Sequence, residues 1–263
     1  MKILVTNDDG IFADGLYALF TEMQRLGETI AIAPATEQSA VGHAITLMTP
    51  LRINQVNRHG QFFGYAVNGT PADCVKLAVH AIMDEPPDLI VSGINLGANI
   101  GTSVIYSGTV SAATEGTILA IPSIAISLAT FANPDFSFAA KFALKLAKKV
   151  LKNGLPRGTL LNVNIPPLAA AEIAGVEVTR NSESKFEDIF EKRLDPRKRV
   201  YYWQAGVEQT YDLRDGTDSA ALRANKISVT PIHFDMTDHQ QLPVIQSWKL
   251  SLQYPRNTAG KRR

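Results

Sequence analysis

Two adjacent carboxylates, Asp8 and Asp9, end an apolar run that begins almost at the first residue, in VTNDDGIFADG at 5–15. Like charges at that spacing repel unless a cation, a proton or several hydrogen-bond donors compensate. A hard divalent cation with oxygen ligands would do so most directly. The competing reading is helix capping, with Asp8, Asp9 or Asp14 accepting from free amides where a helix begins near Leu16. Two later stretches carry groups that could join the pair. In PATEQSAVGHAITL, Ser39 and His43 stand among small residues. In SGINLGANIGTSVIYSGTVSAATEG, residues 92–116, Asn95, Asn99, Ser107 and Thr109 alternate with glycines at 93, 97, 101 and 108. Glycines let a backbone approach a ligand and offer amides to an anion, and a helix opening after Gly108 would favour phosphate at its N-terminus. GxxxxGK[ST] is absent, and GxGxxG does not follow the first run, so the nucleotide-triphosphatase and dinucleotide fingerprints are missing.

Each candidate also has an ordinary role. Asn95 could hold a turn, Ser39, Ser107 and Thr109 could cap helices, and His43 could orient a loop instead of moving protons. Asn68, Gly69 and Thr70 form a polar turn that could border a pocket or simply enter a helix. Asp218, in RDGTDSAAL, reads as a helix cap with a pocket-edge role as the alternative. Convergence favours chemistry, provided three loops reach one place.

The hydrophobic pattern puts them there. KILVT (2–6) reads as a buried strand, LYALFTEMQRLG (16–27) as a helix and ETIAIAP as the next strand, the opening of a parallel sheet. Residues 45–67 read as a β excursion, a hairpin turning at NRHG. A helix containing Cys74, a third parallel strand over 88–92, a helix of small residues in GTVSAATEGTILA, a strand in PSIAISLA, an amphipathic helix in FSFAAKFALKLAKKVLKN and a strand in TLLNVNIP follow. Past Pro167, strand-like pieces at EVTR, VYYWQAG and NKISVTPI predict β extensions projecting from the sheet, and the five basic residues of KRLDPRKR read as a solvated face. In open sheets of this kind the loops after parallel strands gather at the carboxyl edge, where ligands bind.

Composition narrows the rest. With 263 residues, 45% hydrophobic, the chain can bury one large core. Twenty-six Lys and Arg against 25 Asp and Glu give no support for a nucleic-acid binder working through a basic surface. Cys74 is the single cysteine, so it forms no intrachain disulfide. No leader-like opening and no apolar window of bilayer-spanning length appear, so the expected address is cytoplasmic, without membrane association.

VTNDDG at 5–10, SGIN at 92–95 and YSGTVSAATEG at 106–116 resemble the signature segments of the stationary-phase survival protein E (SurE) family of metal-dependent nucleotidases, and PADCV, NVNIP and GTD follow in the family's order. The resemblance runs from residue 1 to about 250 and implies a three-layer, Rossmann-like α/β core with a mostly parallel sheet, β-hairpin extensions and a C-terminal β arm exchanged between subunits. It thereby implies a single domain over 1–250, with homodimer or homotetramer contacts within about 170–250 and a flexible tail at 251–263. It assigns Asp8, Asp9, Ser39 and Asn95 to one divalent cation, Mg2+ or Mn2+. Ser107, Gly108 and Thr109 would form the phosphate pocket, with Asn99 close by and Ser39 and Asn95 at its edge. Asp8, Asp9, Asn95, Asn99 and Ser107 are the implied catalytic set. Implied substrates are nucleoside 5′- and 3′-monophosphates and, in some members, polyphosphate, with no stable nucleic-acid complex. Water attack is the favoured chemistry, with a carboxylate nucleophile as the alternative. A broad-specificity phosphatase or exopolyphosphatase, or a nucleotide-binding module without turnover, are the competing functions.

Overall fold

Alternation along the first strand explains the layering. In a computed structural model that describes residues 1–251, apart from the side chains of 186–187 and 205–209, β1 (Lys2–Thr6) sends Ile3 and Val5 to one face and Leu4 to the other, all fully buried. Such two-sided burial is what a central strand of a covered parallel sheet requires. The chain continues through α1 (Asp14–Met23), β2 (Glu28–Pro34), β3 (Ile53–Arg58), β4 (Gln61–Val67), α2 (Pro71–Leu77), β5 (Leu89–Leu96), α3 (Ser103–Tyr106), α4 (Gly108–Ile118), β6 (Ser123–Leu128), α5 (Ser137–Asn153) and β7 (Thr159–Ile165). It closes with β8 (Gly175–Val178), β9 (Lys185–Leu194), β10 (Val200–Thr210), α6 (Asp218–Arg223), β11 (Lys226–His233) and α7 (Leu242–Ser247).

Among the described residues the main sheet has nine strands in the order β3-β4-β2-β1-β5-β6-β7-β11-β8. Strands β4, β2, β1, β5, β6 and β7 run parallel, while β3 and β11 run antiparallel to their neighbours β4 and β7. Helices α1 and α5 cover the Ile3 face, with Leu16, Leu19, Phe20, Ala139 and Ala143 in its core; α2 and α4 cover the Leu4 face, where Cys74, Val75 and Ala112 are buried. The three-layer α/β architecture is therefore as the sequence predicts. Strand order reverses at β1, which has β2 on one side and β5 on the other, so the loops leaving β1 and β5 diverge at a topological switch point.

Three local expectations change. The hairpin expected over 45–67 forms and turns at NRHG, but it starts only at Ile53 and is no excursion: β4 joins the sheet beside β2, and β3 pairs with it as an edge strand. The third parallel strand does not stop at residue 92 but runs to Leu96 through an irregularity between Ser92 and Asn95, where Gly93 has φ 135°. Asn95 thus stands on a strand and not in a loop. Of the pieces past Pro167, EVTR and NKISVTPI contribute β8 and β11 to the main sheet, whereas among the described residues β10 pairs with β9 alone, in a separate two-stranded hairpin. The KRLDPRKR run forms that hairpin's tip, where the Asp195 carboxylate accepts from the Arg197 and Arg199 amides and pairs with the Arg199 guanidinium. The tail expected over 251–263 lies, from residue 252 on, outside the described residues.

Candidate active site

The first turn at the carboxyl edge is built by Asn7. Its side chain donates to the Gly10 carbonyl at 3.0 Å and accepts from the Gly10 amide at 3.2 Å, closing a loop that projects Asp8 and Asp9 from the end of β1. The loop after β2 is laid against it: the Ile11 amide donates to the Pro34 carbonyl and the Gln38 amide to the Asp8 carbonyl, both at 2.8 Å. Neither carboxylate caps α1, whose N-cap is Ala13 and whose Asp14 pairs with Arg58 at 2.6 Å. The capping reading of the pair therefore fails.

Asp8 is buried against the start of α4. It accepts a hydrogen bond from the Thr109 hydroxyl, and a Cβ placed on Gly108 would stand 2.7 Å from the Asp8 Cβ and 2.9 Å from its Oδ2. Burial pushes its carboxyl pKa up, while the Thr109 hydroxyl and the amides of Asp8, Thr109 and Gly108 act to hold the charged form. Asp9 is pushed up to about 7, first by burial, then by the neighbouring charges of Asp8 and Glu37, against a smaller favourable contribution from the Leu96 amide. No cationic side chain pairs with Asp8 or Asp9 among the described residues. The edge thus holds an excess of negative charge.

The other candidates stand on the end of β5 and on the loops that meet there. Ser39 is exposed one residue beyond Gln38, its hydroxyl donating to Glu37 Oε1 at 2.5 Å. Asn95 commits its amide nitrogen to the carbonyls of Leu96 and Gly97, at 3.1 and 2.8 Å, which leaves its side-chain oxygen as an acceptor. Asn99 is buried and held from below. Its amide donates to Asn164 Oδ1 at 2.7 Å, its carbonyl accepts from Asn162 and Asn164, and its side chain donates to Ser127 at 2.9 Å. Ser107 is the N-cap of α4, accepting from the Val110 amide at 3.1 Å, so its capping role is realised at the same helix end that faces Asp8.

His43 stands elsewhere. Its Nε2 lies 2.8 Å from the buried Glu115, which Lys76 also binds at 3.0 Å. Glu115 is eight residues along α4 from Ser107, about 12 Å down the helix axis. The imidazole therefore ties the loop after β2 to the flank of α4 and does not reach the helix end. Burial raises the Glu115 pKa, but hydrogen bonds from His43 and Lys76 outweigh it and leave the carboxyl below its ordinary value. A carboxyl lowered in the folded state stabilises above its ordinary, unfolded pKa, and that contribution is lost as pH falls toward the folded value. Glu115→Gln should cost about 1–3 kcal/mol at neutral pH. Thermal melts at several pH values should show the gap to the parent closing as pH drops below about 4.5; a gap constant with pH would contradict the pairing.

Glu115, Lys76, Glu37 and the Asn162/Asn164 pair escape motif reading. A signal for the last exists, since two amides at i and i+2 inside an apolar strand share a face and need partners when buried. Asp218 is not a cap either. Thr217 caps α6, and Asp218, the next residue, reaches back to the loop after β5.

Oxygen donors and a helix end gathered at the switch point of a doubly wound sheet define an α/β enzyme rather than a scaffold. A profile of the family described as Survival protein SurE matches residues 3–188. The 5'-nucleotidase SurE of Syntrophobacter fumaroxidans is 50% identical over 250 residues, covering 95% of this chain and all of that protein. The namesake protein of Moorella thermoacetica is 52% identical over 240 residues, covering 91% and 92%. The crystal structure of the SurE protein from Aquifex aeolicus superposes with a TM-score of 0.82 at 39% identity, over 95% of this chain and all of that one. The chain belongs to the SurE family.

Proposed function

We propose that the protein is a metal-dependent phosphomonoesterase that hydrolyses nucleoside 5′- and 3′-monophosphates to nucleoside and phosphate. The observation that carries this reading is the Asp8–Asp9 pair, uncompensated by any described cationic side chain and backed by the N-terminus of α4, in a chain half identical to proteins named 5'-nucleotidase. Asp8, Asp9, Ser39 and Asn95 are the donors for one divalent cation, Mg2+ or Mn2+. Two carboxylates, a hydroxyl and an amide oxygen are hard ligands of the type such ions take, and the carboxylate pair has no cationic partner among the described side chains. When bound, the ion supplies a Lewis acid for a phosphoryl oxygen and an activated water.

The chain's own residues do the remainder. Thr109 orients Asp8 through its hydroxyl, while Ser107, the Gly108 backbone and Asn99 are the groups assigned to the phosphoryl oxygens. Asp9 is half-buried in this loop, and its partial withdrawal from water strengthens every charge interaction at this edge. The β9–β10 hairpin supports assembly into a homodimer or homotetramer by arm exchange, within the 170–250 region. It pairs with no other strand among the described residues, and it exposes Ile189, Phe190, Tyr202 and Trp203. No helix among the described residues is long and apolar enough to cross a membrane, and a cytoplasmic address belongs to the same reading.

Phosphate release from a panel of nucleoside 5′- and 3′-monophosphates, an aryl phosphate and polyphosphate tests this, using metal-stripped protein with Mg2+ or Mn2+ added back. Turnover restored by metal and favouring nucleotides is expected. Equal turnover of every ester would point to a general phosphatase, and binding without release to a nucleotide-binding module.

A further inference from the structure

A carboxylate outside the paired-aspartate site is fully buried at the far end of the same loop. Asp218 has no accessible surface and no cationic partner among the described residues. Its charge is met by backbone amides from three segments: Gly101 at 3.0 Å to Oδ2, and Ser182 and Ser219 at 3.0 and 2.7 Å to Oδ1. A carboxylate so satisfied is an anchor, because removing it strands several buried donors at once.

What it anchors connects two parts of the molecule. Residues 97–102 leave β5 after Leu96, carry Asn99 and lead through α3 to Ser107. At Gly101 and Thr102 this loop is tied to the root of the β9–β10 hairpin. The Thr102 amide and hydroxyl both donate to the Ser184 carbonyl, at 2.9 and 3.2 Å, and a Cβ on Gly101 would meet that same carbonyl at 2.3 Å. The Ser219 hydroxyl bridges those of Ser182 and Ser184, at 2.7 and 2.6 Å, and Ser184 in turn accepts from the Asp212 amide at 2.8 Å. The strap between Asn99 and Ser107 is therefore held at its middle by α6 and by the hairpin's base.

We propose that Asp218 is a positioning residue for phosphoryl transfer: it clamps the 97–102 strap to the root of the β9–β10 hairpin and so fixes Asn99 and Ser107 relative to the carboxylate pair. This rests on the assignment of Asn99 and Ser107 to the phosphate. Asp218 touches no reacting group and acts through the backbone of Gly101. In Asp218→Asn, the side-chain nitrogen has to face an amide hydrogen, either at Gly101 or at Ser182 and Ser219, so one end of the clamp opens.

Full-length Asp218→Asn and Ser219→Ala proteins test the clamp with three readouts: kinetics on a nucleoside monophosphate, Mn2+ binding by calorimetry after metal stripping, and amide exchange over 97–102. In Asp218→Asn, kcat should fall about tenfold or more while KM changes less, as expected for one lost charge-assisted hydrogen bond that sets geometry. Mn2+ affinity should change less than kcat, because Asp8, Asp9 and Ser39 stand on other loops and Asn95, although it touches the strap at Gly97, is itself carried by β5. Exchange at Gly101 and Thr102 should accelerate. Ser219→Ala keeps the carboxylate and its amides, and should lower kcat by about threefold in the same pattern; it decides the matter alone if Asp218→Asn does not fold. A folded variant with faster exchange over the strap but unchanged kcat would overturn the proposal, as would unchanged exchange. A parent protein that releases no phosphate would instead sink the nucleotidase reading, leaving the exchange data to judge the clamp.

Discussion

In the Asp9→Asn protein, divalent-metal affinity and phosphate release fall together, each by about 100-fold or more, since even the outer partners of metal ligands are commonly worth 10–100-fold. The substitution keeps the shape of the side chain and removes one of two adjacent negative charges. The same change should raise the melting temperature of the metal-free protein. Asp9 carries an unfavourable charge there, opposed by burial, by Asp8 and by Glu37, and its neutral analogue avoids that repulsion. Calorimetric Mn2+ titration, kinetics at limiting and saturating metal, and melts with and without metal check both halves. Normal activity at limiting metal would remove Asp9 from the ligand set. A metal-free melting temperature lower than the parent's would show that the carboxylate is compensated by the fold itself.

Gly108→Ala should cost one to two orders of magnitude in kcat/KM and about 1–3 kcal/mol of stability. Alanine is about 1 kcal/mol better than glycine inside a helix, so nothing in the local backbone preference opposes it at the start of α4. The added methyl, however, would stand 2.7 Å from the Asp8 Cβ and 2.9 Å from its Oδ2, closer than side-chain atoms pack. Asp8 has to move, and with it the contact to Thr109. A displacement of about 1 Å at a reacting centre can cost roughly 100-fold. Steady-state kinetics beside a thermal melt separates the two effects. A variant that melts like the parent and turns over normally would show that the Asp8 position seen here is not the working one.

Much of this was legible in the sequence because it depends on periodicity and on loop placement. The short apolar run in KILVT, the helical spacing in FSFAAKFALKLAKKVLKN and the prediction that three polar loops share one edge needed only local pattern and the habits of parallel sheets. The residues that stayed hidden depend on pairings far apart in the chain. Glu115 meets His43 across 72 positions and Asp218 meets Gly101 across 117; no spacing rule connects such partners. The first strand of the β9–β10 hairpin was obscured differently. KFEDIFEKRL mixes charges into its alternation: among the described residues it pairs with β10 alone, and its described side chains from Asp188 to Arg193 are exposed, so burial does not enforce the pattern there. Strand β5 was shortened in the reading because Gly93 normally signals a break, whereas here it serves a distortion within a continuing strand.

The position of the carboxylates just past the end of β1 has a consequence for how the site fails on heating. Strands β1 and β5 are central, paired on both sides and roofed on both faces, so their amides belong to the part of the molecule that opens only when everything opens. Asp8, Asp9 and Asn95 inherit that durability, whereas Ser39, on an exposed loop stitched down by a few backbone contacts, does not. The centre is thus half bedrock and half hinge. Warming should erode it first from the Ser39 side, while the acidic half keeps its shape until the domain itself is lost.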